Sequence, residues 1–400
     1  MHVARACQKL GAETLRIGFA PGDRVYWPPG AGRYRAYRGT AQNFTAFLRN
    51  LLAEERPTDL IMLGDGRPYH RMALALLREL APDGPVPTPW IIEHGYLRPG
   101  LILMETWGMG GMSHIPAAFR AADCDAPYTT PAPRSFPASF LRYAALDVGY
   151  HAANLCAGPV LYPHYRPYAA DGPVLEYAGW ILKGLCLPAR RAACAETGRR
   201  ITGHAGPTFL FPLQLAGDYQ IRHYGTGESL AEILDRVIGS FARHAPQDAL
   251  LVVRQHPLDN GLAHWGRHVR QAAEGAGIAR RVVFQDGGSS ETVMRRAAGI
   301  VTVNSTMGLD AILRGRPCHV LGQAIYALAG LATTGSPDAF WQAPQVPEPR
   351  LAAAFAGFLR KNYHVAGSFD GPGAIVGAAH IAQRLTAPPP PTFPLSFPDR

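Results

Sequence analysis

The feature that most constrains the fold is an alternation of two kinds of segment. Short Leu-, Ile- and Val-rich runs are separated by stretches with helical periodicity. "TDLIMLGD" (58–65) and "PWIIEHG" (89–95) read as buried strands, and "YHRMALALLRELAP" (69–82) between them reads as a helix. Strand, helix, strand is a βαβ unit, whose crossover makes the two strands parallel. The second half repeats the pattern. "PTFLFPLQL" (207–215), "ALLVVRQHP" (249–257), "RRVVFQD" (280–286), "AGIVTVNS" (298–305) and, as the last strand, "PCHVLG" (317–322) are expected there. "SLAEILDRVIGSFARHA" (229–245) puts Leu230, Ile233, Leu234, Val237 and Phe241 on one helical face.

Two doubly wound α/β domains with a cleft between them are the economical fold. A chain of 400 residues exceeds one ordinary core. The expected division is 1–200, 201–345 and a C-terminal helix with a Pro-rich tail at 346–400. Within the first part, 117–200 is rich in aromatics, Pro and Arg and reads as helices and loops.

Composition narrows the function. The net charge of +9 suits an anionic partner: a phosphate-bearing substrate, acidic lipid or nucleic acid. No nucleic-acid-binding motif supports the last of these. The 6 Cys lack CxxC spacing, so neither a zinc site nor a disulfide framework is indicated. No signal-peptide core and no apolar run of membrane-spanning length is visible, which predicts a cytoplasmic protein.

In open parallel sheets, ligands bind beyond the carboxyl ends of the strands. That rule selects Asp65, Glu93, Gln214, the group Arg254, Gln255, His256 and Pro257, then Asp286, and the group Asn304, Ser305 and Thr306. Arg254 offers a fixed charge with a fork of donors, and Pro257 fixes a turn that aims His256. A His that simply caps a turn is the alternative. Ser305 or Thr306 is a good N-cap for a helix beginning at once, and free amides at such a terminus suit an anion. Glu93 is placed for acid, base or nucleophile work, and Arg98 for clamping a phosphate or carboxylate, unless the two merely pair with each other. Asp65, Arg67 and His70 recur at another strand end, and Gln214, Asp218, Gln220 and Arg222 at the junction of the halves. No GxGxxG after a first strand, no GxxxxGK[ST] and no GxSxG occurs. His264 and His268 are four apart without an HExxH pattern, so no metal is expected.

The stretches "GDGRPYH", "EHGYLRPGLILME", "FPLQLAGDYQIR", "QHPLDNG" and "VTVNSTMGLDAILRGRPCHVLGQAIYALAGL", in that order, resemble the bacterial capsule polysaccharide biosynthesis/export family of the KpsS/LipB type. The resemblance implies a GT-B-like architecture of two Rossmann-like domains. It implies a β-Kdo transferase that needs no cofactor, takes CMP-Kdo as donor and starts a Kdo linker on lyso-phosphatidylglycerol. It places that enzyme peripherally at the inner face of the cytoplasmic membrane, beside capsule biosynthesis and export proteins. By the same resemblance His256 and Pro257 match the His-Pro pair that meets the CMP phosphate, helped by Ser305 and Thr306. Arg254 stands where relatives carry a basic residue, and Glu93 matches the catalytic carboxylate. His94 stands where some relatives carry a second acid. The family's opening strand and Gly-Pro loop are expected to be missing, with Met1 inside the first helix. A non-enzymatic adaptor in capsule export, or an enzyme for a different nucleotide sugar, is the alternative.

Overall fold

Each apolar run singled out above becomes a strand. The computed structural model describes residues 1–121, 136–137, 139–167, 172–215, 217 and 225–390. Among them the strands are β1 (Leu15–Gly18), β2 (Arg33–Ala36), β3 (Asp59–Leu63), β4 (Thr88–His94), β5 (Leu101–Thr106), β6 (Thr208–Pro212), β7 (Leu250–Arg254), β8 (Val282–Gln285), β9 (Ala297–Thr302), β10 (Cys318–Val320), β11 (Thr333–Thr334) and β12 (His364–Ala366). The chain divides into two units, one drawn from 1–122, 129–168 and 357–400, the other from 169–356.

The second unit holds a six-stranded sheet in the order β11-β10-β9-β6-β7-β8. Every pairing in it is parallel. Counting β6 as its first strand, this is the 3-2-1-4-5-6 order of doubly wound Rossmann sheets. All residues of β6 and β7 are buried, as a sheet covered by helices on both faces requires. Alternate residues feed separate cores. Phe209, Phe211, Leu251 and Val253 meet Phe241 and Trp341 on one face. Leu210, Leu250 and Val252 meet Ile201, Val293 and Met294 on the other. The helix Leu230–His244 starts at a Ser229–Glu232 capping box, and its predicted apolar face is buried. The strand order reverses between β6 and β9, so a crevice is expected at their carboxyl ends.

The first unit is α/β too, but its main sheet is mixed. In the order β12-β5-β4-β3, β3 and β4 are parallel, as the βαβ reading required, while β5 and β12 add antiparallel. The first half thus departs from an all-parallel sheet at β5 and β12. β1 and β2 form a separate parallel pair. The helix His2–Lys9 precedes β1.

Three boundaries differ from the sequence reading. "PCHVLG" is not the last strand, because β11 extends its sheet and β12 caps β5. The helices Pro173–Leu185 and Leu187–Gly203 belong to the second unit, not the first. Gly179 is what seats the first of them: an added Cβ would come within 3.0–3.2 Å of Leu262 and Asn260. The C-terminal helix Gly371–Leu385 belongs to the first unit, where it lies on the helix His2–Lys9. Residues 391–400 of the Pro-rich tail lie outside the described residues.

Candidate functional site

The second unit gathers most of the predicted residues at one sheet edge. Gln214 follows β6, Arg254 ends β7, Asp286 follows β8, and Asn304, Ser305 and Thr306 follow β9. Gln214 and Asn304 clasp each other across the reversal point. The Gln214 amide donates to Asn304 Oδ1 at 2.9 Å, and the Asn304 backbone N–H donates to Gln214 Oε1 at 3.4 Å. Immediately beyond, Ser305 caps the helix Thr306–Leu313, its Oγ accepting the Met307 N–H at 3.2 Å. The Ser305 N–H donates to Thr302 Oγ1 at 3.2 Å, and its carbonyl accepts from the Tyr326 hydroxyl. Gly308 makes room for that hydroxyl, since a Cβ there would lie 2.4 Å from it. The helix N-terminus, which carries a partial positive charge, is thus held firmly at this end of the sheet.

The turn after β7 is equally constrained. His256 Nδ1 accepts the Leu258 N–H at 3.1 Å, so the ring proton resides on Nε2, which is a donor. Asp259 Oδ1 accepts from Gln255 at 2.6 Å and from the Gly261 N–H at 2.8 Å. Pro257 is exposed at the tip. The turn holds His256 at the same edge as the capped helix.

Two predicted charges are committed elsewhere. Arg254 is 6% exposed and donates to Gln285 Oε1 at 2.6 Å and to the carbonyls of Gly287 at 2.8 Å and Gly288 at 2.7 Å. It braces the loop after β8. Asp286 accepts two hydrogen bonds from Arg190, at 2.7 and 2.6 Å, and lies 3.7 Å from Lys183. Burial works to raise its pKa, but the Arg190 hydrogen bonds and the Lys183 charge hold it below the ordinary value. A pocket of about 550 Å³ adjoins this pair, lined by Arg190, Arg191, Cys194 and Gln285 to Ser289 among others.

In the first unit Glu93 is the penultimate residue of β4, half-buried, its Oε1 accepting the His94 N–H at 2.9 Å. Strand parity places it opposite Trp90 and Ile92, which enter the core with Ile102 and Met104. Glu93 and Arg98 do not form an ion pair; Arg98 Nε donates to the Gly95 carbonyl at 3.3 Å. Asp65 is buried after β3 and accepts the Met109 N–H at 2.9 Å. Arg67 is the N-cap residue of the helix Pro68–Leu80. Burial lowers the His70 pKa to about 4, so the ring is neutral, and its Nδ1–H donates to the Gly64 carbonyl at 2.8 Å. Asp218, with Gln220 and Arg222, lies outside the described residues.

Sequence reasoning missed the network beneath this strand end. Glu105 on β5 is 1% exposed. It accepts from the Tyr96 hydroxyl at 2.9 Å and contacts Ser113 Oγ. Burial pushes its carboxyl up to about 8, so it is neutral at pH 7. The Tyr96 hydroxyl in turn accepts the Gly110 N–H at 2.9 Å. His364, from the far end of the chain, donates through Nδ1 to the Leu359 carbonyl at 2.9 Å. Its bare Nε2 accepts the Tyr96 N–H at 3.0 Å. These groups fix the Glu93–Pro99 loop. The one available signal was an acid embedded in the apolar run "LILMET".

The sequence matches the family described as capsule polysaccharide biosynthesis protein over residues 58–369. It is 27% identical to the capsule polysaccharide export protein KpsS of Escherichia coli over 365 residues, 89% of this chain and 90% of that one. It is 26% identical to the capsule polysaccharide modification protein LipB of Neisseria meningitidis serogroup B over 370 residues, 90% of this chain and 86% of that one. Among solved structures it is similar to the Thermosulfurimonas dismutans KpsC beta Kdo 2,7 transferase at 14% identity, with a TM-score of 0.42 over 92% of this chain and 99% of that one.

Proposed function

The chain belongs to the capsule polysaccharide biosynthesis protein family, and from that premise we propose that it is a GT-B-type glycosyltransferase. It moves Kdo from CMP-Kdo to a lyso-phosphatidylglycerol acceptor, with retention, and so starts the linker on which capsule polysaccharide is built. The observation that carries this reading is the Gln214–Asn304 clasp at the reversal point of a Rossmann-order sheet, with a capped helix N-terminus directly behind it. That position suits a nucleotide phosphate.

In this mechanism the amides following Ser305, the Thr306 hydroxyl and His256 Nε2–H hold the CMP phosphate. Pro257 keeps the imidazole aimed, while Arg254 holds the neighbouring loop. When the bond between the Kdo anomeric carbon and the phosphate oxygen breaks, these donors meet the charge that develops on the departing CMP. Glu93 supplies the catalytic carboxylate, and Arg98 and Arg67 are the cations offered to the acceptor phosphate. The enzyme works in the cytoplasm against the inner face of the membrane, among capsule biosynthesis and export proteins. No helix among the described residues is long and apolar enough to cross a membrane.

The test is an assay with CMP-Kdo generated in situ and a fluorescent lyso-phosphatidylglycerol. A product heavier by one or more Kdo units supports the reading. An unchanged acceptor with CMP-Kdo intact overturns it, and turnover of another nucleotide sugar overturns the donor assignment.

A further inference from the structure

We propose that the helix Pro173–Leu185 is a lipid-docking element. Its outer face lies in the headgroup layer of an anionic bilayer, and its inner face carries the His256–Pro257 turn. The inference deepens the function proposed above, because it rests on the acceptor being a membrane lipid.

The helix is inverted relative to a water-soluble surface helix. Val174, Ala178, Ile181 and Leu185 follow each other at helical spacing on the exposed side. Leu185 is 75%, Val174 67% and Ile181 64% exposed, and Leu175 and Leu182 widen the stripe. The one cation of the helix faces inward: Lys183 is 9% exposed, donates to the Asp259 carbonyl and lies 5.3 Å from the Trp180 ring. Gly179, also on the inner face, packs against Asn260 and Leu262. Asp259 and Asn260 belong to the turn that His256 and Pro257 begin, so this helix packs directly on the proposed donor loop.

Charge complementarity selects the occupant. The next helix, Leu187–Gly203, carries Arg190, Arg191, Arg199 and Arg200 against the single acid Glu196. Arg191, Arg199 and Arg200 are exposed. An apolar stripe followed in the chain by an arginine-rich helix fits a layer of acidic phospholipid. A two-fold contact with a second copy would instead bring two arginine-rich helices into one interface, which disfavours self-association through this face.

The experiment is sedimentation of the full chain with vesicles of phosphatidylcholine alone and of phosphatidylcholine mixed with phosphatidylglycerol. Binding to the mixed vesicles is expected. Replacing both Ile181→Asp and Leu185→Asp should lower the partition coefficient roughly 100-fold, with the thermal midpoint unchanged because both side chains are exposed. Arg191→Ala should lower it roughly fivefold at low salt, and less at about 1 M salt, where the charge is screened. Wild-type chain that ignores the mixed vesicles would overturn the proposal. So would a double variant that binds as wild type, or a wild-type dimer that the double variant splits. Vesicle binding needs no sugar donor, so a chain that docks yet transfers nothing would sink the transferase reading alone.

Discussion

Asp286, half-buried just after the edge strand β8, and Glu105, buried on the interior strand β5, carry opposite charge states. Asp286 in the second unit faces Arg190 and Lys183 and is held ionised, below the usual carboxylate range. Glu105 in the first unit has only hydroxyl partners, Tyr96 and Ser113, and burial holds it protonated up to about 8. The difference shows that the partner, not the residue type, sets the charge. In the second unit the fixed positive groups Arg190 and Lys183 hold Asp286 as an anion. In the first unit Glu105 keeps a neutral hydrogen-bonding platform with Tyr96 and Ser113.

The comparison breaks most visibly in activity. Glu93→Gln should reduce turnover by roughly 10³-fold while leaving CMP affinity intact, measured by product formation beside calorimetry. Equal turnover would remove the first unit's assigned role. Next in size is the pH dependence of stability. In the unfolded chain Glu105 ionises near its ordinary value of 4.5, and in the folded chain near 8. Between those values the folded state holds a proton that the unfolded state has released. This contribution is therefore full below pH 4.5 and is lost as pH rises through 8. Denaturant titrations should show Glu105→Gln flattening that slope, worth on the order of a few kcal/mol in the wild type. A smaller loss is expected from Arg190→Ala, which strips Asp286 of its bidentate partner. Both groups are about a quarter exposed, so the cost should be about 1–2 kcal/mol. Smallest is Arg314→Ala, which breaks exposed contacts to Asp310 and Glu291. Its effect on the thermal midpoint should correspond to less than about 1 kcal/mol.

What the sequence disclosed follows the same division. The second unit was legible because its strands are continuous apolar runs ending in polar groups, and a parallel Rossmann sheet imposes where those groups go. Gln214, His256, Asn304 and Ser305 emerged from that rule. The pairing of Arg254 with Gln285 and of Asp286 with Arg190 did not, because neither partner is near in sequence. The first unit was harder for the same reason. Its sheet is completed by β12, some 260 residues after β5 in the chain, and the loop holding Glu93 depends on His364 from that segment. Local pattern reveals a strand; it does not reveal an edge supplied from the other end of the chain. The outward apolar face of Pro173–Leu185 was visible only as a helix, since Gly179 and Lys183 decide which side turns inward.

The most direct test is calorimetric titration of CMP into wild-type, His256→Ala and Glu93→Gln chains at one pH and salt concentration. The account predicts that His256→Ala weakens CMP at least roughly tenfold, the loss of one charge-assisted hydrogen bond, with its thermal midpoint unchanged, and that Glu93→Gln binds like wild type. Wild-type affinity in His256→Ala, or lost binding in Glu93→Gln, would contradict the placement of the nucleotide at the second unit's strand ends.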